Sequence, residues 1–390
     1  MAANDLSFNQ LSTVLNGIVS QATGKASIAP TNTSEFITVA QTALKTGYDP
    51  VMQSVSQMMS RSIFSTRPYY RKFGGIQVDN QKWGSITRKL NISDKDWEND
   101  VRFELVEGES VDMYKVNKPN ILQTNFYGAN VYERSYTIFK DQLDCAFSGP
   151  DEFARFLSMV TGNCTDMIEQ AHENLARATV ANYIGGKIKG DAASCIHLLT
   201  EYNALTGLAL TKETVYQPAN YKPFIDWVYS RIATLTELMT ERSQLFHTNI
   251  TGKTINRHTP LQRQRVYLYA PARFNIESMS LANTYNYNFL KMSYNETVNY
   301  WQSIQSPSKI NVKPSYLQAD GTITTPDAAL EQDDIFGVIF DDEALGYTVM
   351  NQWSATTPFN AKGGYSNVFF HFTDRFWNDF TENGLVLLLD

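Results

Sequence analysis

The sequence predicts an α+β fold, and three observations support this prediction. Apolar residues recur at three- and four-residue steps from Pro150 to Ile184, which is the spacing of one long amphipathic helix. The segments before and after it contain short runs that alternate in polarity or are wholly apolar, as strands do. Hydrophobic residues make up 43% of the 390 residues, which is enough for a sizeable core and excludes an intrinsically disordered chain.

Residues 1–60 show helical spacing in three short segments. The predicted helices cover Asp5–Val19, Glu35–Thr46 and Val51–Met59. The small, polar residues of Gly24–Thr33 predict a linker between the first two helices. These helices either lie on an extended arm or form a layer packed on one core, and the residues alone leave both arrangements open.

Strand patterns begin near Gly75. Gly84–Ser93 alternates in steps of two, and Val131–Ile138 is a second β-rich run. The stretch Ser93–Ser110 between them is charged and poor in core residues. This pattern favours a long two-stranded excursion, and because an isolated hairpin does not fold stably alone, something else must support it.

The charge changes sign abruptly along this excursion. Between Arg61 and Lys95 eight basic residues stand against two acidic ones, whereas Asp96–Asp112 holds seven acidic residues against a single arginine. Opposite blocks of charge on one projection can pair across copies of a chain, but pairing within one chain or simple solvation explains the same pattern. The predicted contact between copies involves Arg71, Arg88, Lys89, Asp96, Glu98, Asp100, Glu104, Glu107 and Glu109.

The long helix has a clear start. Pro150 suits the first helical position, and two acidic residues follow it in the first turn. The pattern continues to Ile184, where Gly185-Gly186 is expected to end the helix, and a rise of 1.5 Å per residue gives a rod of about 52 Å. A helix of this length with one apolar stripe is expected to lie across a sheet as a spine. The residues expected to pack on the sheet are Phe156, Val160, Met167 and Ile168.

Beyond Gly190 the sequence is mixed. A helix is predicted to begin at Pro223, because apolar residues recur on one face after it. Strands are predicted at Arg265–Ala270, Ile335–Phe340, Tyr347–Trp353, Asn367–Phe372 and Leu385–Leu389.

The sequence contains no familiar catalytic motif. It has no GxxxxGK[ST] phosphate loop, no GxGxxG and no GxSxG, and His172-Glu173 lacks the second histidine of a zinc-protease helix. The histidines and cysteines do not fall at metal-ligand spacing. We therefore expect no catalytic residue, no cofactor and no metal, with an enzyme whose site is assembled from distant residues as an unsupported alternative.

Charge and hydropathy restrict the partners. The net charge of −7 excludes binding of nucleic acid by bulk charge. No apolar run approaches the roughly 18 residues of a membrane span, and Met1–Asp5 lacks the basic residues of a secretory signal. The odd, widely spaced cysteines Cys145, Cys164 and Cys195 indicate a reducing cytoplasm.

The order of the parts is itself informative: an amphipathic arm, a charged β excursion, a long helix, a mixed domain and long C-terminal strands. This order resembles the major capsid proteins of tailed bacteriophages, whose shell fold is shared with herpesvirus capsid proteins. The resemblance covers nearly the whole chain as architecture, and within the group the likeness is greatest to small podophages of Gram-positive hosts. The supporting segments are Phe64–Gly74, Gly149–Phe153, Asp334–Tyr347, Ser366–Arg375 and Gly384–Leu388.

The resemblance implies a division of the chain. Residues 1–60 would be an N-terminal arm on a neighbouring subunit, and residues 76–135 an extended loop that reaches over the next subunit. Residues 136–189 and 335–374 would form a peripheral domain with the spine helix 150–184. Residues 190–334 and 375–390 would form an axial domain. Some relatives crosslink this loop through a Lys and an Asn, but no matching Asn and catalytic Glu is apparent here for Lys95 or Lys115.

The resemblance also implies a function. The chain would be a structural protein, not an enzyme, that self-assembles as pentamers and hexamers into the icosahedral head around double-stranded DNA, which it packages without sequence specificity. A scaffolding protein and a portal would take part in assembly in the host cytoplasm, and no membrane or cofactor would be needed. Another virion protein, such as a portal or tail component, is the main alternative.

Overall fold

A computed structural model describes residues 8–23, 30–45, 47, 49–51, 72–78, 86–95, 100, 102, 105–114, 116, 118–277 and 296–390. Only the backbone is described at residues 10, 23, 74 and 157–165. The predicted linker Gly24–Thr33 and the predicted helix Val51–Met59 fall mostly outside these residues.

The described part of the chain contains helices of very different length. They are α1 (Phe8–Thr23), α2 (Thr33–Lys45), α3 (Lys140–Ala146), α4 (Pro150–Gly190), α5 (Leu198–Thr206), α6 (Lys212–Val215), α7 (Pro218–Leu238) and α8 (Ala270–Ile276). Helix α7 begins at Pro218, earlier than the predicted start at Pro223. The physical reason is that Pro218 occupies the first turn, where the missing backbone N–H leaves no hydrogen bond unmade.

Two long antiparallel strand pairs and several short strands make up the sheets. The strands are β1 (Ile86–Ile92), β2 (Ile121–Tyr127), β3 (Asn130–Phe139), β4 (Cys195–His197), β5 (Gln264–Tyr269), β6 (Glu296–Val298), β7 (Ile310–Val312), β8 (Tyr316–Leu317), β9 (Ile323–Thr324), β10 (Leu330–Gln332), β11 (Ile335–Asp341), β12 (Leu345–Thr356), β13 (Tyr365–Asn378) and β14 (Gly384–Leu388). One sheet has the order β4-β14-β11-β5-β6 and another the order β12-β13-β3, while β1 and β2 form a separate two-stranded ribbon.

The spine helix α4 is longer than predicted. It spans 41 residues and continues through Gly185 and Gly186 to Gly190. These two glycines do not end the helix; they allow close packing, because a Cβ atom on Gly185 would meet Val312 at 2.8 Å and one on Gly186 would overlap the ring of Phe380. The expected end at Ile184 is therefore wrong.

The five-stranded sheet is buried on both faces. Val338, Phe340 and Val386 point to one side, where they pack with the C-terminal half of α4. Ile339 and Leu387 point to the other side, where they pack with α7. Strand β11 is the central strand of this sheet and is hydrogen-bonded to β14 and β5. The resemblance assigned β11 to the peripheral domain and both of its neighbours to the axial domain, so the two domains share this sheet.

A second core lies under the three-stranded sheet. Phe370 and Phe372 of β13 pack there with Phe153 and Phe156 from the start of α4. The N-terminal helices α1 and α2 complete this cluster, with Leu15, Ile18, Phe36, Ala40 and Ala43 fully buried. In the single chain these two helices therefore form a layer on the core, which is one of the two arrangements that the sequence left open.

The ribbon ends before the predicted loop does. Strand β3 pairs with β13 from Asn130 onward, with Asn130 opposite Asp374, so residues 130–135 belong to the three-stranded sheet. The two-stranded part ends at Tyr127, and Gly128 turns the chain with a φ of 97° that suits glycine.

Candidate functional site: the ribbon and its anchors

The ribbon β1–β2 carries most of its apolar side chains on its outward face. Its strands pair in register from Ile86 opposite Tyr127 to Ile92 opposite Ile121, and side chains alternate between the faces. The outward face carries exposed apolar side chains, between 53 and 78% exposed: Ile86, Leu90, Ile92, Ile121 and Tyr127. An ordinary surface strand buries its apolar side and exposes its polar side, so this ribbon is inverted.

The inward face of the ribbon is held mainly by polar contacts. At one end, Arg375 of β13 donates hydrogen bonds to the Thr87 hydroxyl at 3.1 Å and to the Gly128 carbonyl at 3.0 Å. Apolar support comes from Leu122, which is buried, and from Phe126, whose ring lies 6.3 Å from that of Trp377. The ribbon therefore lies along the chain's own core.

Lys89 holds the middle of the ribbon. Its Nζ atom lies 2.5 Å from Glu382 Oε1, 3.0 Å from Asp379 Oδ2 and 3.3 Å from Glu343 Oε2. Burial works to lower the pKa of Lys89, but the carboxylates of Asp379 and Glu382 outweigh it and raise this pKa above its usual value. The lysine is therefore charged and is bound within its own chain.

The carboxylates around Lys89 are themselves buried and partly shared. Burial raises the pKa of Glu382, although Lys89 and Arg257 oppose this effect. Burial also works to raise the pKa of Glu343, but Arg263 and Lys89 outweigh it and lower this pKa. Arg257 Nη2 lies 2.9 Å from Glu382 Oε1, and Arg263 Nη2 lies 2.6 Å from Glu343 Oε1.

A third tie lies where the ribbon leaves the core. The Ser93 hydroxyl donates a hydrogen bond to the Thr254 carbonyl at 2.9 Å, and the Asn256 N–H donates to Asp94 Oδ2 at 2.6 Å. Asp94 also pairs with Arg242, and the hydrogen bond from Asn256 lowers the pKa of Asp94. Asp94 is therefore an anchor and is not part of an acidic contact surface.

Beyond this anchor the tip of the ribbon is exposed. The described tip residues 105–114 and 116 are all exposed, and the large apolar ones are Leu105, Val106, Val111, Met113, Tyr114 and Val116. Met113 and Tyr114 are more than 80% exposed, which is unusual for side chains of that size.

The nine residues predicted to contact another copy have different environments. Arg71, Asp96, Glu98 and Glu104 lie outside the described residues. Arg88 is exposed on the outward face, and Glu107 and Glu109 are exposed at the tip. Asp100 pairs with Arg102 two residues away, and Lys89 pairs with the core.

The structure thus changes the role expected of Lys89. The expectation was a contact with another subunit, but the alternation of β1 turns Lys89 inward and Arg88 outward. The partners Asp379 and Glu382 were missed because they lie 290 and more positions away in the sequence and carry no local signal.

A cavity of about 390 Å³ lies between α4 and the three-stranded sheet. Met167, Ile168 and His172 line it from the helix, and Tyr132 and Phe372 line it from the sheet. Its presence explains why Met167 and Ile168 are only half-buried, whereas Phe156 is buried as predicted.

A buried polar group lies at one end of this cavity. His172 Nε2 lies 3.7 Å from Asp374 Oδ2, and the Tyr132 hydroxyl donates a hydrogen bond to the same oxygen. Burial, together with this hydrogen bond, raises the pKa of Tyr132. These contacts join the spine helix to two strands of the sheet.

Among the described residues, no three His, Cys, Asp or Glu side chains are grouped so as to hold a metal ion. Within the same part of the chain, every helix is too short or too polar to cross a bilayer.

The fold is that of phage capsid proteins. A chain in the capsid structure of Staphylococcus phage Andhra matches with a TM-score of 0.55 and 11% sequence identity, covering 83% of this chain and 85% of that one. A chain in the structure of the head fiber and inner core protein gp22 of native bacteriophage P68 matches with a TM-score of 0.56 and 12% identity, covering 84% and 87%.

The family of the chain is identified from its sequence. The model of the Phi29-like phage major capsid protein family matches residues 13–387, and the chain belongs to this family. It is a capsid shell protein, and its place is the virion. A search of the curated proteins finds no match.

Proposed function

We propose that this chain forms the icosahedral head as pentamers and hexamers, and that the ribbon β1–β2 with its tip is the surface that contacts a neighbouring copy. The single observation that supports the contact is the inverted ribbon, which turns most of its apolar side chains outward. Exposed apolar surface in contiguous patches marks interaction sites. A neighbouring copy is the partner that a shell-forming chain always has beside it.

Repetition makes such a contact effective. The ribbon and the surface it meets differ, so each contact is heterologous, and heterologous contacts that close around a symmetry axis give rings instead of fibres. Each contact alone need not be strong, because a subunit held by several neighbours is released only when all contacts break together. A shell can therefore be stable although its single contacts are weak.

The division into parts implied by the resemblance is proposed with the boundaries given above. Residues 1–60 would be the N-terminal arm on a neighbouring subunit, although α1 and α2 within it also pack on their own chain. The extended loop, residues 76–135, would act through the ribbon and the tip. The peripheral and axial parts would share the five-stranded sheet, because β11 and β14 are adjacent in it.

The remaining partners are proposed from the family alone. A scaffolding protein and a portal would act during assembly in the host cytoplasm. The completed shell would enclose double-stranded DNA without reading its sequence, which is consistent with a net charge of −7. The chain would act as a structural protein without catalytic activity.

The test is a paired substitution on the outward face, Leu90→Ser with Ile92→Ser. Both side chains are more than 60% exposed, so the melting temperature of the unassembled chain should stay close to that of the wild type. The yield of closed shells in electron micrographs should fall at least tenfold. The matched control is Leu90→Met with Ile92→Val, which keeps the face apolar and should assemble. Normal shells from the serine variant would overturn the proposed contact.

A further inference from the structure

The ribbon is joined to the core through an ionic cluster that spans three separate segments. Lys89 comes from β1, Glu343 from the turn between β11 and β12, and Asp379 and Glu382 from the turn between β13 and β14. The two turns are held together without the ribbon, because the Asp341 N–H donates to the Asn383 carbonyl at 2.9 Å. The core side of the cluster is therefore built independently of the ribbon.

The charges in this cluster are unequal. The described groups are five carboxylates, of Asp341, Asp342, Glu343, Asp379 and Glu382, and three cations, of Lys89, Arg257 and Arg263. Both arginines belong to the core, so Lys89 is the cation that the ribbon contributes to the cluster. Without Lys89, the buried carboxylates of Asp379 and Glu382 would lose an ion-pair partner.

The position of the cluster also lets it restrain the tilt of the ribbon relative to the core. It lies between two other ties, the hydrogen bonds from Arg375 to Thr87 and Gly128 and the contacts of Ser93 and Asp94 with Thr254, Asn256 and Arg242. Because those ties lie towards the two ends of the ribbon, a third tie at Lys89 restrains tilting of the segment between them. The Lys89 ammonium lies within 3.3 Å of three carboxylates, those of Glu343, Asp379 and Glu382. Together these contacts hold the lysine in place.

We propose that Lys89 and the carboxylates of Glu343, Asp379 and Glu382 form a latch that sets the orientation of the ribbon on its own core. The latch acts in the unassembled chain, so it goes beyond the proposed contact between copies and does not depend on it. A closed latch presents the apolar face outward in one fixed orientation. An open latch releases the ribbon to other orientations about its end ties.

The experiment measures the position of the tip in the unassembled full chain. Spin labels are placed at Met113→Cys on the tip and at Leu205→Cys on the exposed surface of α5, after Cys145→Ser and Cys164→Ser. Pulsed electron paramagnetic resonance then gives the distribution of distances between the labels, and the concentration is kept below that needed for assembly. The wild-type latch should give one narrow distribution.

The test variant is Lys89→Met, which keeps most of the apolar stem and removes the charge. We expect the distance distribution to broaden at least twofold or to gain a second maximum. The matched control is Arg88→Met on the neighbouring residue, which faces outward and should leave the distribution unchanged. A Lys89→Met distribution that matches the wild type would overturn the latch.

A second variant covers the case in which Lys89→Met fails to fold. Glu382→Gln removes charge from the core side and should also broaden the distribution. A Glu382→Gln distribution that matches the wild type would equally overturn the proposal. Since neither readout involves shells, its failure is distinguishable from failure of the proposed contact between copies.

Discussion

Strand β11 and the ribbon strand β1 are both seven residues long, yet they are stabilised in opposite ways. Every residue of β11 is buried, and its side chains pack on α4 on one side and on α7 on the other. Strand β1 alternates between exposed and half-buried residues, and its apolar side chains are the exposed ones. The first strand is stabilised by its own chain, whereas the second leaves its apolar side chains exposed among the described residues.

This difference shows what polarity patterns do and do not determine. An alternating pattern identifies a strand, but it does not say which face is buried, because that depends on what the rest of the chain places beside it. In β1 the core offers carboxylates and a guanidinium, so the lysine and the threonine turn inward. The apolar side chains are then left outside.

The largest expected effect is in the buried sheet. Ile339→Asp places an unpaired charge in β11 at a position that is fully buried, which costs several kcal/mol. We expect soluble full-length protein to be almost lost on expression. A soluble variant that melts like the wild type would show that β11 is not a core strand, and the contrast with the ribbon would disappear.

The next effect is smaller and concerns the packing of the spine helix α4. Gly186→Ala should lower stability by about 1–3 kcal/mol, because the new Cβ atom overlaps the ring of Phe380. The matched control is Gly149→Ala, just before the helix, where a Cβ atom meets nothing within 4 Å and the φ of −175° suits any residue. Equal free energies of unfolding for Gly186→Ala and Gly149→Ala, measured by chemical denaturation, would contradict the close packing.

The latch should contribute less than the core but more than a surface pair. Lys89→Met should lower stability by about 1–3 kcal/mol, between the values for exposed and buried ion pairs. Arg88→Met should change it by less than about 0.5 kcal/mol, as for an exposed residue. Thermal melting of the unassembled chain measures both, and a larger loss for Arg88→Met would mean that the two faces of β1 are reversed.

The smallest effect on the single chain is expected at the tip. Glu107→Lys with Glu109→Lys reverses two exposed charges and should leave monomer melting nearly unchanged. If the acidic tip meets a basic surface on a neighbour, shell yield should fall, and most strongly at low salt. Assembly that is unaffected at low salt would remove these two carboxylates from the contact.

Much of this fold could be predicted from the sequence. The start of α4 was predicted at the correct residue, because Pro150 and the acidic first turn are local signals. Its end was not, because Gly185 and Gly186 usually interrupt helices and only the packing of Val312 and Phe380 shows why they do not. The strands near Ile335 and Leu385 were predicted from continuous apolar runs, which a sheet buried on both faces requires.

The candidate surface was only partly predictable. The change of charge sign drew attention to the excursion, but it did not reveal that Lys89 pairs with residues more than 250 positions away. Such pairs depend on how β12, β13 and β14 bring their turns together, and local pattern carries no information about that. The outward position of the ribbon's apolar side chains could not be predicted either, because Ile86, Leu90 and Ile92 have the spacing of an ordinary buried strand face.

The most direct test of the proposed contact is hydroxyl-radical footprinting of Tyr127 before and after assembly. This side chain is 78% exposed in the single chain and lies on the outward face of the ribbon. If a neighbouring copy covers that face, oxidation of Tyr127 should fall severalfold in closed shells, while that of the inward-facing Phe126 should hardly change. Equal oxidation of Tyr127 in shells and in free subunits would contradict the claim that the ribbon is completed by another copy.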